Sequence, residues 1–205
     1  MTVEVLFTSR FKPPTMEHSP NLASSPSLVE RGTQVSPLRA LKRHITTHNP
    51  VTSHPTFQSS LSAEWKSISG SKMGFQTIYC TSQSPPLLSN DIDLTVNVQL
   101  TPNVGLQIPG GTVSRVVDFA PGYETTQHRT QSLDLGVVIE GTVELVLDSG
   151  ETRILRVGDT IVQRGTKHAW RNTSERDWAR MFFVLMSCEP VEVGGKVLEE
   201  DHGDL

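Results

Sequence analysis

Two histidines and an aspartate carry the strongest chemical signal in the sequence: His128, Asp134 and His168. Side chains alternate across an extended strand. His128, Thr130, Ser132, Asp134, Gly136 and Val138 would therefore share one face, and Arg129, Gln131, Leu133 and Leu135 the other. His168, Trp170 and Asn172 share a face by the same rule. If both faces point into one barrel, two imidazoles and a carboxylate meet among apolar side chains. Buried without partners they would be strongly destabilising. They must pair with one another, hold a metal ion, or meet water and ligand. Two imidazoles and one carboxylate make a three-ligand set with open positions, as catalytic zinc and non-haem iron sites have. A single divalent ion (Zn, Fe or Mn) on His128, Asp134 and His168 is one reading. A hydrogen-bonded His–Asp–His cluster without metal is the other. Around this centre the expected pocket residues are Thr130, Trp170, Arg115 and Tyr123, the last placed to cap the mouth. Arg115 and Arg164 have the planar donor fork that clamps carboxylates or phenolates, although pairing with surface acids is the plainer reading of Arg164.

These residues need a scaffold of strands. Short β-rich runs occur at Val113–Phe119, Leu133–Glu140, Thr142–Leu147, Thr152–Arg156, Asp159–Gln163, His168–Asn172 and Ala179–Leu185. Turn signals separate them at Pro121-Gly122, Glu140-Gly141, Asp148-Ser149-Gly150 and Gly158-Asp159. That spacing predicts a sandwich or small barrel, with no helix longer than two turns required. Lys72–Cys80 reads as a further strand ahead of the barrel, and as a sheet edge it would need covering by a second copy. Leu38–Ile45 reads as a basic helical turn or an edge strand. His44, His48 and His54 read as solvated loop histidines.

The expected division is a flexible extension over 1–36, N-terminal strands and loops over 37–111, the barrel over 112–190 and an acidic tail over 191–205. The first segment is rich in Ser, Pro and Thr and has too little apolar surface to offset its ordering entropy. The last residues, Glu199–Leu205, are expected to fray.

Composition narrows the function classes. The chain has 18 basic and 22 acidic side chains and no basic run, which argues against nucleic acid or an anionic membrane as partner. Its two cysteines, Cys80 and Cys188, have no metal-site spacing and read as reduced thiols. No apolar run approaches the ~18 residues of a membrane span, and Val3–Phe7 lacks the flanks of a secretory signal. A cytoplasmic protein is expected.

Two ordered motifs carry a family resemblance. Gly122, five residues, His128, then Thr130, Asp134, six residues and Gly141 follow the first cupin motif, with Thr130 in place of its second His and Asp134 in place of its Glu. Gly158-Asp159, Arg164, Gly165, His168 and Asn172 follow the second, with Arg164 at the proline place and Gly165 and His168 one residue early. The chain thus resembles the cupins over residues 112–186, and more narrowly the small single-domain cupins of bacteria and of fungal polyketide gene clusters. The resemblance implies an all-β fold, a cupin-type jelly-roll β-barrel, and weakens the metal reading: a threonine is a poor ligand, and Asp134 reaches about 1.5 Å less far than Glu.

The expected function is an enzyme of secondary, polyketide-type metabolism, a lyase or isomerase acting on a small molecule with a carbonyl or phenol. It would dehydrate, isomerise or decarboxylate without net redox change. One imidazole would remove a proton beside a carbonyl, the other would polarise the oxygen, and Asp134 would orient an imidazole. The alternatives are a metal-dependent oxygenase or other oxidoreductase and a non-catalytic binding cupin. A homodimer is expected.

Overall fold

The β-rich runs become strands in the computed structural model, which describes residues 30–58 and 64–203. β1 (Glu30–Gly32), β2 (Ile45–His48), β3 (Pro55–Gln58), β4 (Trp65–Ile68) and β5 (Met73–Thr81) precede helix α1 (Ile92–Leu100). Then come β6 (Thr112–Phe119), β7 (Ser132–Glu140), β8 (Thr142–Leu147), β9 (Thr152–Arg156), β10 (Thr160–Arg164), β11 (His168–Asn172) and β12 (Ala179–Ser187). A short hairpin, β13 (Val191–Val193) and β14 (Lys196–Leu198), closes the series. Among the described residues a seven-stranded sheet runs β1-β4-β5-β6-β12-β7-β10, and a three-stranded sheet runs β11-β8-β9. All pairings are antiparallel. Val117, Phe119, Val138, Met181, Phe183 and Leu185 of the larger sheet pack with Val143, Leu145, Leu155 and Trp170 of the smaller one in a single core, which is the jelly-roll arrangement.

Close packing over β7 depends on a glycine. A Cβ on Gly136 would lie 2.9 Å from both Ile161 and Phe183, so a larger residue there would force one or both of these side chains to shift. The β9–β10 turn uses Gly158 at φ +89°, and the Asp159 carboxylate accepts the Arg156 N–H at 2.8 Å.

The N-terminal half departs from expectation in three places. Residues 1–29 of the expected extension lie outside the described residues, but 30–36 join the fold: β1 pairs with β4, and the buried Ser36 hydroxyl donates to Asp118. Strand β5 is no edge, because β4 and β6 pair with it on either side. The edge argument for dimerisation therefore falls away. Finally, Ile92–Leu100 is a helix of nine residues. Its apolar residues alternate like those of a strand, yet only Asn97 is buried, where its Oδ1 accepts the Cys80 N–H of β5 at 3.0 Å. Asp93 also accepts from the Tyr79 hydroxyl of β5, and Leu100 packs beside Cys80, so polar contacts that apolar periodicity does not show dock the helix. His48 lies in the exposed β2–β3 hairpin rather than a loop, and Leu38–His44 forms neither helix nor strand. Among the described residues no helix is long and apolar enough to cross a membrane.

Candidate functional site

The chain enters the site by changing sheets. His128 and His168 form an isolated antiparallel bridge, exchanging N–H···O bonds of 2.9 Å in both directions, so His128 belongs beside the three-stranded sheet. By Ser132 the same chain pairs with β10 and β12 in the seven-stranded sheet. The side-chain alternation survives the crossing: His128, Thr130, Ser132, Asp134, Gly136 and Val138 are all buried, with half-buried or exposed residues between them. The inward face expected from the sequence is thus continuous across two sheets.

A cavity of about 260 Å³ lies behind that face. Its polar lining comes from Arg115, Thr125, His128, Thr130, Asp134, His168 and His202, and its walls include Phe75, Leu106, Trp170 and Phe183. The two imidazoles sit side by side, ring centroids 4.4 Å apart, with Trp170 edge-on to His168 at 5.4 Å. Each belongs to a Thr-x-His sequence, and each Nδ1 lies against the carbonyl of its own threonine, Thr126 at 3.0 Å and Thr166 at 2.8 Å. A carbonyl only accepts, so both Nδ1 atoms carry the proton and both Nε2 lone pairs are free on the cavity side. Burial, followed by the neighbouring His128, pushes the His168 pKa down to about 3. Burial also lowers that of His128. Both rings are therefore neutral at pH 7.

Asp134 lines the cavity but touches neither imidazole. Its Oδ1 accepts from the Ser132 hydroxyl at 2.5 Å, and burial raises its pKa to about 6 against the weaker pull of Ser132 and Arg115. The expected orienting role of Asp134 is thus corrected: the Thr126 and Thr166 carbonyls hold the rings. The three-ligand metal set is corrected with it. Among the described residues no group of three or more His, Cys, Asp or Glu side chains converges closely enough to hold an ion. Two imidazoles converge, Thr130 replaces a third nitrogen with a hydroxyl, and Asp134 is engaged by Ser132. The residues present do not fit a three-ligand centre.

Thr130, Trp170 and Arg115 line the cavity as expected. Tyr123 does not; its hydroxyl is bonded to Ser69 at 2.9 Å and its ring packs on the core. Arg164 is exposed on β10, and Asn172 is structural, donating to the carbonyls of Phe119, Ala120 and Asp177.

Two polar lining residues were not revealed by the sequence: Thr125, whose hydroxyl accepts the Trp170 N–H at 3.0 Å, and His202. The expected frayed tail is pinned over the barrel: Asp201 bridges Arg129 through its backbone and pairs with Lys167 at 2.5 Å, and Glu200 accepts the Gln131 N–H at 2.9 Å. This brings His202 to the cavity lining, with its Nε2 3.2 Å from Glu200. Glu200 also accepts from Gln107 at 3.2 Å, so the tail and the loop carrying Gly105 and Leu106 meet at the rim. No local pattern announces a contact of this kind.

A Cupin domain family matches residues 115–185, which covers both imidazoles and the strands between. A curated relative, Phomopsin biosynthesis cluster protein C' of Diaporthe leptostromiformis, is 44% identical over 163 residues, covering 78% of this chain and 86% of that protein. The chain is a cupin. Other relatives of this cupin are the cupin-domain-containing oxidoreductase fogC of Aspergillus ruber (39% identity, 86% of this chain, 89% of that protein) and Oryzines biosynthesis cluster protein J of Aspergillus oryzae (40% identity, 80% and 92%). Fold and family thus agree with the reading of the two motifs.

Proposed function

We propose that this cupin is an enzyme of secondary metabolism that moves a proton on a small carbonyl-bearing or phenolic molecule without net redox change. The observation that carries the reading is the imidazole pair: two neutral rings, each with Nδ1–H fixed by a backbone carbonyl and Nε2 open to an apolar cavity. Such a pair accepts protons or hydrogen bonds and offers none of its own until one ring is protonated. His128 takes the proton first, because burial holds the His168 pKa down at about 3 and a charged His128 lowers it further. In this scheme a C–H bond beside the carbonyl breaks, its proton passes to Nε2 of His128, and the electron pair moves onto the carbonyl oxygen as an enolate. The proton then returns to carbon at a new position, or to a leaving hydroxyl, which gives isomerisation or dehydration. Names of relatives that refer to biosynthesis clusters support the metabolic setting.

The test is turnover by His128→Ala and His168→Ala proteins on candidate carbonyl compounds, beside circular-dichroism melts. Each variant is expected to lose about 100-fold in turnover while staying folded, and the double variant to be barely worse, since the pair acts as a unit. Normal specific activity in His168→Ala would sink the assignment.

A redox step is the second reading, favoured by the oxidoreductase names of relatives such as fogC. Iron near one per chain in protein purified without chelator, together with oxygen uptake, would decide for it. Turnover by neither route, with tight retention of a small molecule, would instead indicate a binding cupin.

A further inference from the structure

Arg115 is a second chemical feature of the cavity, which the imidazole scheme does not use. It sits on β6, is 5% exposed and lines the cavity. Its Nη2 donates to the carbonyls of Gly105 and, at 3.1 Å, Leu106, while its guanidinium lies 5.3 Å from the Phe75 ring centre. Its Nε is buried with no hydrogen-bond partner, Nη1 donates to nothing among the described residues, and it makes no ion pair there. Asp134 also lines the cavity and attracts the guanidinium, but its Oδ1 is already taken by Ser132 and the two form no ion pair. The register explains the gap. Arg115 stands opposite Phe183 and Asp134 opposite Leu185, on strands β6 and β7 that lie on either side of β12. Two strand spacings separate their backbones by roughly 10 Å.

An uncompensated buried guanidinium with idle donors is destabilising by itself, and it persists where something supplies the missing anion. We propose that Arg115 anchors a carboxylate of the ligand, which places the carboxylate at the Phe75–Leu106 side of the cavity and the ligand's carbon skeleton between there and the imidazole pair. This names the substrate class of the site proposed above and rests on that reading only for the chemistry that follows binding. The occupant is then a small, mostly apolar carboxylic acid. The cavity volume of about 260 Å³ corresponds to about nine water molecules at roughly 30 Å³ each.

Hexanoate, hexanamide and hexanol form a matched probe series of suitable size, measured by calorimetry on the full chain. Hexanoate is expected to bind in the millimolar range or tighter, and at least tenfold better than hexanamide or hexanol. Arg115→Met should abolish that preference while leaving hexanol binding within about twofold. Without ligand, Arg115→Met should melt within about 3 °C of the parent or above it, because an unpaired charge is exchanged for apolar volume. Saturating hexanoate should raise the melting temperature of the parent but not of the variant. The competing account is that Arg115 only ties down the Gly105–Leu106 loop. It predicts a loss of many degrees in Arg115→Met and equal binding of hexanoate and hexanamide by the parent, and either result overturns the proposal. So does a parent that fails to bind hexanoate at all. Hexanoate binding retained in His128→Gln, whatever happens to turnover, keeps this anchor separable from the proton-transfer reading.

Discussion

The larger sheet contains two buried arginines that stand over aromatic rings, and they differ in everything else. Arg180 on β12 faces Asp118 on β6 directly across the pairing, so Nε and Nη2 reach the carboxylate at 2.6 and 2.7 Å. Nη1 donates to the Arg39 carbonyl at 2.7 Å, Ser36 donates to Asp118, and the guanidinium lies over Trp65. That charge is fully satisfied, and it fastens residues 36–39 to the barrel. Arg115 has its carboxylate neighbour, Asp134, one strand too far away, and both face the cavity. One strand of offset separates a structural ion pair from a pair of charges held apart for a ligand. Full burial is common to both arginines, so burial alone does not distinguish structure from function; the count of unmet donors does.

Four measurements would break or sharpen that contrast. The same substitution should act with opposite sign at the two aspartates. Asp118→Asn strands a buried guanidinium, with an expected loss of about 3–5 kcal/mol, which is roughly 10 °C or more for a chain of this size. A melt within 2 °C of the parent would show that Arg180 does not depend on Asp118.

The next largest effect is acid instability, and its sign follows from proton counting. His168 holds its proton until about pH 6.5 when unfolded but only to about pH 3 when folded, so between those values the unfolded state binds more protons and stability rises with pH. Asp134 acts oppositely: its folded pKa of about 6 exceeds the ordinary 3.8, so its contribution falls as pH rises between them. His168 spans the wider window and His128 shifts the same way. Between pH 6.5 and pH 4 His168 alone would cost about 3 kcal/mol and Asp134 would return about 2, so the loss is expected in full in an Asp134→Asn background and largely offset in the parent, measured by urea denaturation. Adding His168→Gln to that background should remove much of the slope, and an unchanged slope would contradict the burial of a neutral ring.

Asp134→Asn comes third. At pH 7 the native carboxylate is ionised against a folded-state penalty, so the neutral amide is expected to raise stability by up to about 3 kcal/mol. A loss comparable to that of Asp118→Asn would mean that Asp134 is paired after all. The smallest effect belongs to the tail. Removing residues 199–205 deletes the part-exposed Lys167–Asp201 pair, the Arg129–Asp201 bridge and the bonds that Glu200 accepts from Gln131 and Gln107, and the melting temperature is expected to fall by only a few degrees. Acrylamide quenching of Trp170, read in a Trp65→Phe/Trp178→Phe background, should nevertheless increase, because the rim over the cavity is gone. Unchanged quenching would place the tail away from the entrance.

The sequence by itself determined what depends on local periodicity. Alternation assigned the inward face from His128 to Val138 correctly, and turn residues bounded β8, β9 and β11 to the residue. The two motifs were enough to give the barrel and the imidazole pair, since each strand carries its own histidine on a fixed face. Tertiary structure decided every relation between elements far apart in the chain. It set Asp134 beside Ser132 instead of an imidazole, paired Asp118 with Arg180, left Arg115 without an anion, sent Tyr123 to Ser69 and brought His202 across the rim. Helix α1 belongs to this second group, because the polar contacts of Asn97 and Asp93 with β5, with Leu100 packed beside Cys80, hold it there rather than an apolar stripe. The reason is geometric: a strand's period fixes which way a side chain points. Which partner it meets depends on the register and order of strands contributed by distant segments.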